Sequence, residues 1–414
     1  MSAQANQRTH TSIFNTTLLV VGLGYCIDAF DLFLYNALRV SSLRDLGLEG
    51  DALTKAGLYI LNLQIVGMLI GGLLWGILGD KIGRKKALIG SVLLYSLGSL
   101  GCAFITNVEL YALLRFLTGI GLAGEMGLGA VLVAETVSDR QRGWGVALYA
   151  LFAYVGIVAA NLLGSWLPWR TCYAIGGAIG LFLLFGRMVL FESGLYEQLL
   201  HTTKVARGSL KLLLKKPDLL KRWLCCIFFT MPYFYTVNLL ITLAPEFGKA
   251  VGVSVPIKAP TALMLWSGSA FFGTILAAIV SRMLQRRILA IAIYLVINLM
   301  LSAWYLMQNQ PSEIGFYMIC AVTGLANFFV LELYVAIEQF GTNMRATGGT
   351  SALSIGRSTL VITNSVFLAL RASGVDILSA AAWTGAGAYI IGFICLLGLR
   401  ETYHQSMDFL EERK

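Results

Sequence analysis

Charge is scarce in this 414-residue chain: 13% of its residues are Asp, Glu, Lys or Arg, while 57% are hydrophobic. Soluble domains carry about 25% charged residues, and a mean hydropathy of +0.75 excludes that class. Histidine is scarcer still. His10, His201 and His404 all lie outside the long apolar runs, so a histidine proton relay inside a membrane is excluded. Any proton coupling must run through carboxylates. The seven cysteines fall inside the apolar runs with no paired spacing, which indicates neither a disulfide framework nor a metal site. No phosphate-binding loop, metal cluster or nucleophile–base pair is found, so an enzyme and an ATP-driven pump lack support. No cofactor is expected.

What the chain does have is long apolar runs. Each is continuously apolar for about 20 residues, the length of a bilayer-crossing helix. Barrel strands alternate instead, over about ten residues. Twelve spans are expected, near 13–37, 56–79, 87–105, 108–134, 144–166, 170–191, 223–247, 261–281, 288–307, 313–337, 347–371 and 377–399. The fold class that follows is an all-α membrane protein. The first dozen residues are polar and lead directly into span one, so no cleavable signal is expected.

The net charge of +9 suggests nucleic acid until it is mapped. With both termini inside, the inner loops hold Lys81, Arg84, Lys85, Lys86, Arg140, Arg142, Arg282, Arg286, Arg287 and Arg345. The connection 192–222 adds seven more cations. Outer connections hold few, among them Arg44, Lys249 and Lys258. Positive charge on the cytoplasmic side orients membrane helices, and no nucleic-acid partner is needed. The lipid bilayer is the partner instead.

That long connection divides six spans from six, predicting an N-terminal bundle over 1–191, a cytoplasmic linker over 192–222 and a C-terminal bundle over 223–414. Within the linker, 209–214 and 219–224 interleave apolar and basic residues, as short helices along a membrane surface do. The halves also repeat. Glu135 is followed seven residues later by Arg142, and Glu338 seven residues later by Arg345. The charged bridge GILGDKIGRKK over 76–86 has a weaker echo at 281–287, where Arg282 is read in place of Asp80. Two pseudo-symmetric six-helix bundles with a site at their interface are typical of secondary transporters.

The bridge, with Asp80, Gly83 and Arg84, resembles the best-known signature of the major facilitator superfamily. The resemblance spans almost the whole chain. Arg115-Phe-Leu-Thr-Gly-Ile-Gly121, Ala134-Glu135 and Arg140-Gln-Arg142-Gly143 resemble the fourth-span pattern of the sugar-porter-like branches. Glu192-Ser193 and Arg400-Glu-Thr402 resemble the motifs closing each half, the latter without its proline. Likewise, in the second-half motif from Glu338 to Gly348, Gly341 stands where relatives usually have proline. Asp28-Ala-Phe-Asp31 and Gly124-Glu125-Met-Gly127 are similar to metabolite:proton and aromatic-acid:proton symporters.

A charge inside a span costs at least about 2.5–3.5 kcal/mol, so each such charge needs a reason. Asp28 and Asp31 share one helix face, being three residues apart. The resemblance implies that Asp31 faces Arg115 and that the pair couples protons; a permanent structural salt bridge is the alternative. Asp28 reads as a substrate or proton contact, or as a polar packing residue. Glu125 and Glu332 sit in corresponding spans. Glu125 reads as a protonation site, a cation ligand or a hydrogen-bonded packing residue, and Glu332 as a specificity residue or packing. Arg357 is either a carboxylate clamp or a partner of Glu338, and Arg187 a snorkelling anchor. Tyr233, Tyr235 and Asn238 follow Pro232, a kink point, and are candidates for a cavity wall. Asn327 and Asn364 are further polar candidates.

The resemblance implies a gating role for Asp80, which would meet the N-terminus of span eleven, where the helix dipole favours an anion. Gly83, Arg84, Glu135, Arg142, Glu338 and Arg345 complete the expected gates. The expected activity is proton-coupled symport of a small organic acid or zwitterionic metabolite by a monomer in a bacterial inner membrane. Proton-driven efflux of organic cations or drugs competes with it. A non-transporting receptor or scaffold is the reading from another class.

Overall fold

The computed structural model describes residues 16–138, 141–188, 192–200 and 207–411. His10, His201, Arg140 and the first three residues of the first expected span lie outside them. In an apolar segment only a helix satisfies its own backbone N–H and C=O groups, and every expected run is helical over most of its described residues. The first six are α1 (Thr16–Asp45), α2 (Gly50–Ile82), α3 (Arg84–Cys102), α4 (Val108–Thr136), α5 (Arg142–Trp166) and α6 (Trp169–Met188). Short helices Gly194–Leu200 and Leu210–Lys215 follow. The second six are α7 (Pro217–Ile241), α8 (Ala259–Leu284), α9 (Arg287–Leu306), α10 (Glu313–Glu338), α11 (Ala346–Ala372) and α12 (Ile377–Leu397). Among the described residues, eleven of these are long and apolar enough to cross a membrane. The twelfth, α3, opens on Arg84, Lys85 and Lys86, whose charges lower its hydropathy.

The chain divides into two compact units. The first holds the described residues up to Leu212 together with Phe340–Ser351 and the tail from Gln405; the second holds Leu213–Gln339 and Ala352–His404. In the first unit α4 is the central helix, with 89% of its apolar window buried, against 56% for α1 and 50% for α2. Its glycines at 119, 121, 124, 127 and 129 let neighbouring helices approach on every side. α1 runs eight residues beyond the expected end because its last turns bury Leu38 and Leu43 against Tyr111, Trp169 and Tyr173.

Ends and breaks have local causes. Gly83 separates α2 from α3 in one residue at φ +107, a conformation costly for any side chain. Asn107, Ser312 and Asp376 cap α4, α10 and α12 by accepting backbone N–H groups, which otherwise lack partners. The stretch 219–224 is not a separate surface helix. It forms the first turns of α7, begun by Pro217 at a position where no N–H is needed. α7 then breaks at Phe229–Thr230, one turn before Pro232, and resumes as Met231–Tyr235 and a π-helical stretch, Thr236–Ile241. Proline offers no N–H to the turn before it. α10 breaks at 326–328. Asn298 donates to the Ala326 carbonyl at 2.6 Å, and Asn327 donates to Ala270 O at 3.1 Å and Thr274 Oγ1 at 2.9 Å. Broken backbone at membrane depth is tolerated when its polar groups are met in this way.

Candidate functional site

One face of α1 carries Gly24, Asp28 and Asp31, at helical spacings of four and three residues. Asp31 meets Arg115 of α4: Nη1 lies 2.9 Å from Oδ2, and both side chains are buried. Arg115 also donates to the Asp31 carbonyl at 3.2 Å and to Gln64 Oε1 of α2 at 3.3 Å. Ser99 of α3 donates to the other carboxylate oxygen. The guanidinium lies 5.5 Å from the Tyr35 ring and 5.6 Å from the Tyr173 ring, within cation–π range. Five helices, α1, α2, α3, α4 and α6, thus converge on one ion pair.

About 10 Å along α1, at seven residues of 1.5 Å rise, a second pair abuts Gly24. Glu125 of α4 is bound by Arg187 of α6, both fully buried. A side chain at position 24 would collide with both groups. This corrects the snorkelling reading of Arg187: its guanidinium points inward because Glu125 offers a charge partner that lipid does not. Asp28 is buried between these pairs on α1. Tyr95 and Tyr149 each interact electrostatically with Asp28, Glu125 and Arg187.

At the α2–α3 end of this unit lies a charge network. Asp80 accepts from Thr347 N at 2.7 Å and Ala346 N at 3.2 Å. Arg84 lies 3.3 Å from Asp80 and 3.2 Å from Glu135, and donates to Thr342 O at 2.7 Å. Arg345 lies 2.6 Å from the other oxygen of Glu135. Glu192 accepts the backbone N–H groups of Arg84 and Lys85, capping α3. Burial pushes its carboxyl above the usual range, against the pull of those hydrogen bonds. Arg142 donates to the Gln405 carbonyl of the tail at 3.4 Å. That tail also clasps the 340–345 loop: Thr342 N donates to Phe409 O at 2.8 Å, and Glu411 N to Asn343 Oδ1 at 2.8 Å.

The second unit repeats part of this network. Arg287 opens α9 and lies 3.3 Å from Glu338, while Glu401 accepts Arg287 N at 2.7 Å and Ile288 N at 3.1 Å. Thr402 Oγ1 donates to Glu338 at 2.7 Å. Glu338 therefore pairs with Arg287, and Arg357 is half-buried on α11. Arg84 to Arg287 and Glu135 to Glu338 share an offset of 203 residues. The same offset carries Asp80 to Met283, so Arg282 does not occupy the aspartate's place. Applied to Arg84, the repeat already visible at Glu135 and Glu338 would have singled out Arg287; no comparable signal marked Arg187 or Gln64.

Elsewhere in the second unit, Tyr233 packs against Phe234, Trp266, Phe328 and Phe329, with ring centroids 5.1 to 6.4 Å apart. The Tyr235 hydroxyl donates to Ala381 O at 2.9 Å, and Asn238 donates to Phe234 O one turn back at 3.2 Å. With Asn327 spanning the α10 break, these polar groups are engaged in helix structure. Glu332 is fully buried, and neither carboxyl oxygen has a hydrogen-bond partner. Asn364 is half-buried on α11. Among the described residues no group of His, Cys, Asp and Glu has the makings of a metal site, and all seven cysteines are free.

Among the described residues, twelve long helices, a doubled charge network and ion pairs buried between apolar helices define a multi-pass membrane protein. The family model described as the Major Facilitator Superfamily matches residues 21–363, and the chain belongs to that superfamily. It is 31% identical over 169 residues to the niacin transporter NiaP of Acinetobacter baylyi, covering 40% of this chain and 38% of that one. A Bacillus subtilis protein named for niacin and nicotinamide transport is 33% identical over 188 residues, 44% of this chain and 45% of its own. The chain thus spans under half the length of either of these relatives. The 3-(3-hydroxyphenyl)propionate transporter of Escherichia coli is 27% identical over 362 residues, 84% of this chain and 86% of that one. Among solved structures, the proton:xylose symporter XylE shares the fold at TM-score 0.70 and 17% identity, over 94% of this chain and 96% of that one.

Proposed function

We propose that this chain is a secondary active transporter that moves a small organic acid together with protons by alternating access. The observation that carries the reading is the buried Asp31–Arg115 pair. A nearby guanidinium favours the ionised carboxylate and loss of water disfavours it, so hydration from alternate sides would load and unload a proton. The substrate class is supported by relatives named for niacin, for 3-(3-hydroxyphenyl)propionate and, in Pseudomonas putida, for gallate. All three are carboxylates that carry an aromatic ring.

In this reading the chain is a monomer in a bacterial inner membrane with both termini cytoplasmic. The halves 1–191 and 223–414, joined by 192–222, are its moving bodies. The Asp80 network forms the cytoplasmic latch, with Gly83, Arg84, Glu135, Arg142 and Arg345, and the Arg287–Glu338 pair is its counterpart. Uptake of labelled nicotinate and 3-(3-hydroxyphenyl)propionate into proteoliposomes tests the reading. Concentrative uptake is expected under an inward proton gradient and is expected to vanish with a protonophore or with Asp31→Asn. Uptake indifferent to the gradient would overturn it.

Glu332 favours a second reading, export of organic cations. Its unpartnered carboxyl lies one turn from Phe329, which stacks on Tyr233, and aromatic faces with a carboxylate suit cations. A growth-protection screen against cationic drugs, with and without Glu332→Gln, separates the two.

A further inference from the structure

Glu125 and Arg187 satisfy each other only in part. Arg187 binds Glu125 Oε1 through Nη2, while its Nε and Nη1 lack hydrogen-bond partners, as does Glu125 Oε2. Both side chains are fully buried. Unsatisfied buried polar atoms are rare in native proteins and mark a functional group or an absent ligand. The Tyr95 hydroxyl, in electrostatic contact with both residues, is a further buried group without a partner. A guanidinium with two open donors is a fork suited to a carboxylate.

The charges around the pair do not balance. Asp28 and Asp31 on α1 and Glu125 on α4 supply three carboxyl groups; Arg115 on α4 and Arg187 on α6 supply two guanidinium groups. Tyr95 on α3, Tyr149 on α5 and Tyr25 on α1, whose ring stacks on Tyr149 at 4.6 Å, are the other titratable groups beside the pair. An uncompensated charge at this depth is costly, so an added anion here must bring a proton with it.

We infer that Arg187 is the seat of the substrate's carboxylate and that Glu125 holds the seat in its absence. The incoming anion displaces Glu125 from the guanidinium, and the freed Glu125 takes a proton from water. Anion and proton thus enter as one neutral pair. The inference rests on the organic-acid reading above, and it adds a binding residue and a proton acceptor distinct from Asp31.

Purified full-length protein is titrated calorimetrically with benzoate, nicotinate and 3-(3-hydroxyphenyl)propionate, and with benzamide as the neutral match of benzoate. Two buffers of different ionisation enthalpy give the protons taken up. One proton per bound benzoate is expected, with benzamide at least tenfold weaker. Glu125→Gln should bind benzoate without proton uptake. Arg187→Gln and the double variant Glu125→Gln/Arg187→Gln should bind it at least tenfold more weakly. The double variant removes one charge of each sign and so strands neither member of the Glu125–Arg187 pair, and its melting temperature is the check on folding. Wild-type affinity in a folded double variant overturns the inference. So does proton uptake that Asp31→Asn abolishes and Glu125→Gln leaves intact. If none of the three acids binds the wild type, the organic-acid reading itself fails and takes the inference with it.

Discussion

Asp80 on α2 accepts the backbone N–H of Thr347 at 2.7 Å, from a residue 267 positions further along the chain. The contact joins a carboxylate to buried N–H groups of a helix start, which have no partner within the helix and where the macrodipole favours an anion. Arg84, 3.3 Å away, balances the charge. A short motif and the π-helical opening of α11 are thereby joined, the contact proposed above as a latch.

Hydrogen bonds to a charged acceptor contribute about 1.5–3 kcal/mol. Asp80→Asn should therefore shift the latch toward opening by about ten- to hundredfold, at about 1.4 kcal/mol per tenfold. Hydrogen exchange at the Ala346 and Thr347 amides reads this directly. Unchanged protection in the variant would remove Asp80 from the latch.

Arg287 and Glu338 are buried, with side-chain exposures of 6% and 2%. Removing one partner of a buried pair costs about 3–5 kcal/mol, so Arg287→Ala should lower the melting temperature by roughly 5–10 °C. Arg287→Lys keeps the charge but not the fork, and a smaller loss is expected. Melting curves in detergent decide it; equal losses would mean that the charge itself contributes nothing.

Gly341 departs from the family's usual proline, and its surroundings supply a reason. Its N–H donates to Glu411 Oε1 at 3.3 Å, and a Cβ there would lie 2.8 Å from Glu411 N and 2.9 Å from Phe409 O. Gly341→Pro removes the donor and crowds the tail out of its seat. Cleavage of the tail by limited proteolysis should rise by about fivefold or more, one hydrogen bond being worth about 1 kcal/mol. A tail as protected as in the wild type would mean that the loop holds it without Gly341.

Asp31→Asn keeps the shape around Arg115 and removes the charge that neutralises it. In proteoliposomes, uphill uptake should fall at least tenfold. Exchange of labelled for unlabelled substrate, which needs no net proton movement, should persist. Loss of both together would indicate a structural pair.

Much of the architecture was legible along the chain, and the reason is physical. Helices form from hydrogen bonds within one segment, so apolar length and charged flanks located α4, α8, α9 and α12 to within a few residues. Even the π-helical stretch had a local sign in Pro232. The start of α7 was less legible, because an amphipathic basic turn reads the same on a membrane surface as at the end of a span. The Glu135/Glu338 repeat stood in the spacing, yet its partner Arg287 was hidden among neighbouring cations of equal charge.

Taken alone, the order of residues determined that this is a twelve-helix membrane protein with carboxylates and guanidinium groups inside its spans. Tertiary structure decided which of them meet. Arg187 turns inward to Glu125, Glu338 pairs with Arg287, and Asn327 closes a broken helix, because such contacts depend on how distant helices are rotated and set against one another. No local pattern encodes that register. It follows from the packing of whole helices, in which a buried charge is most stable beside its opposite.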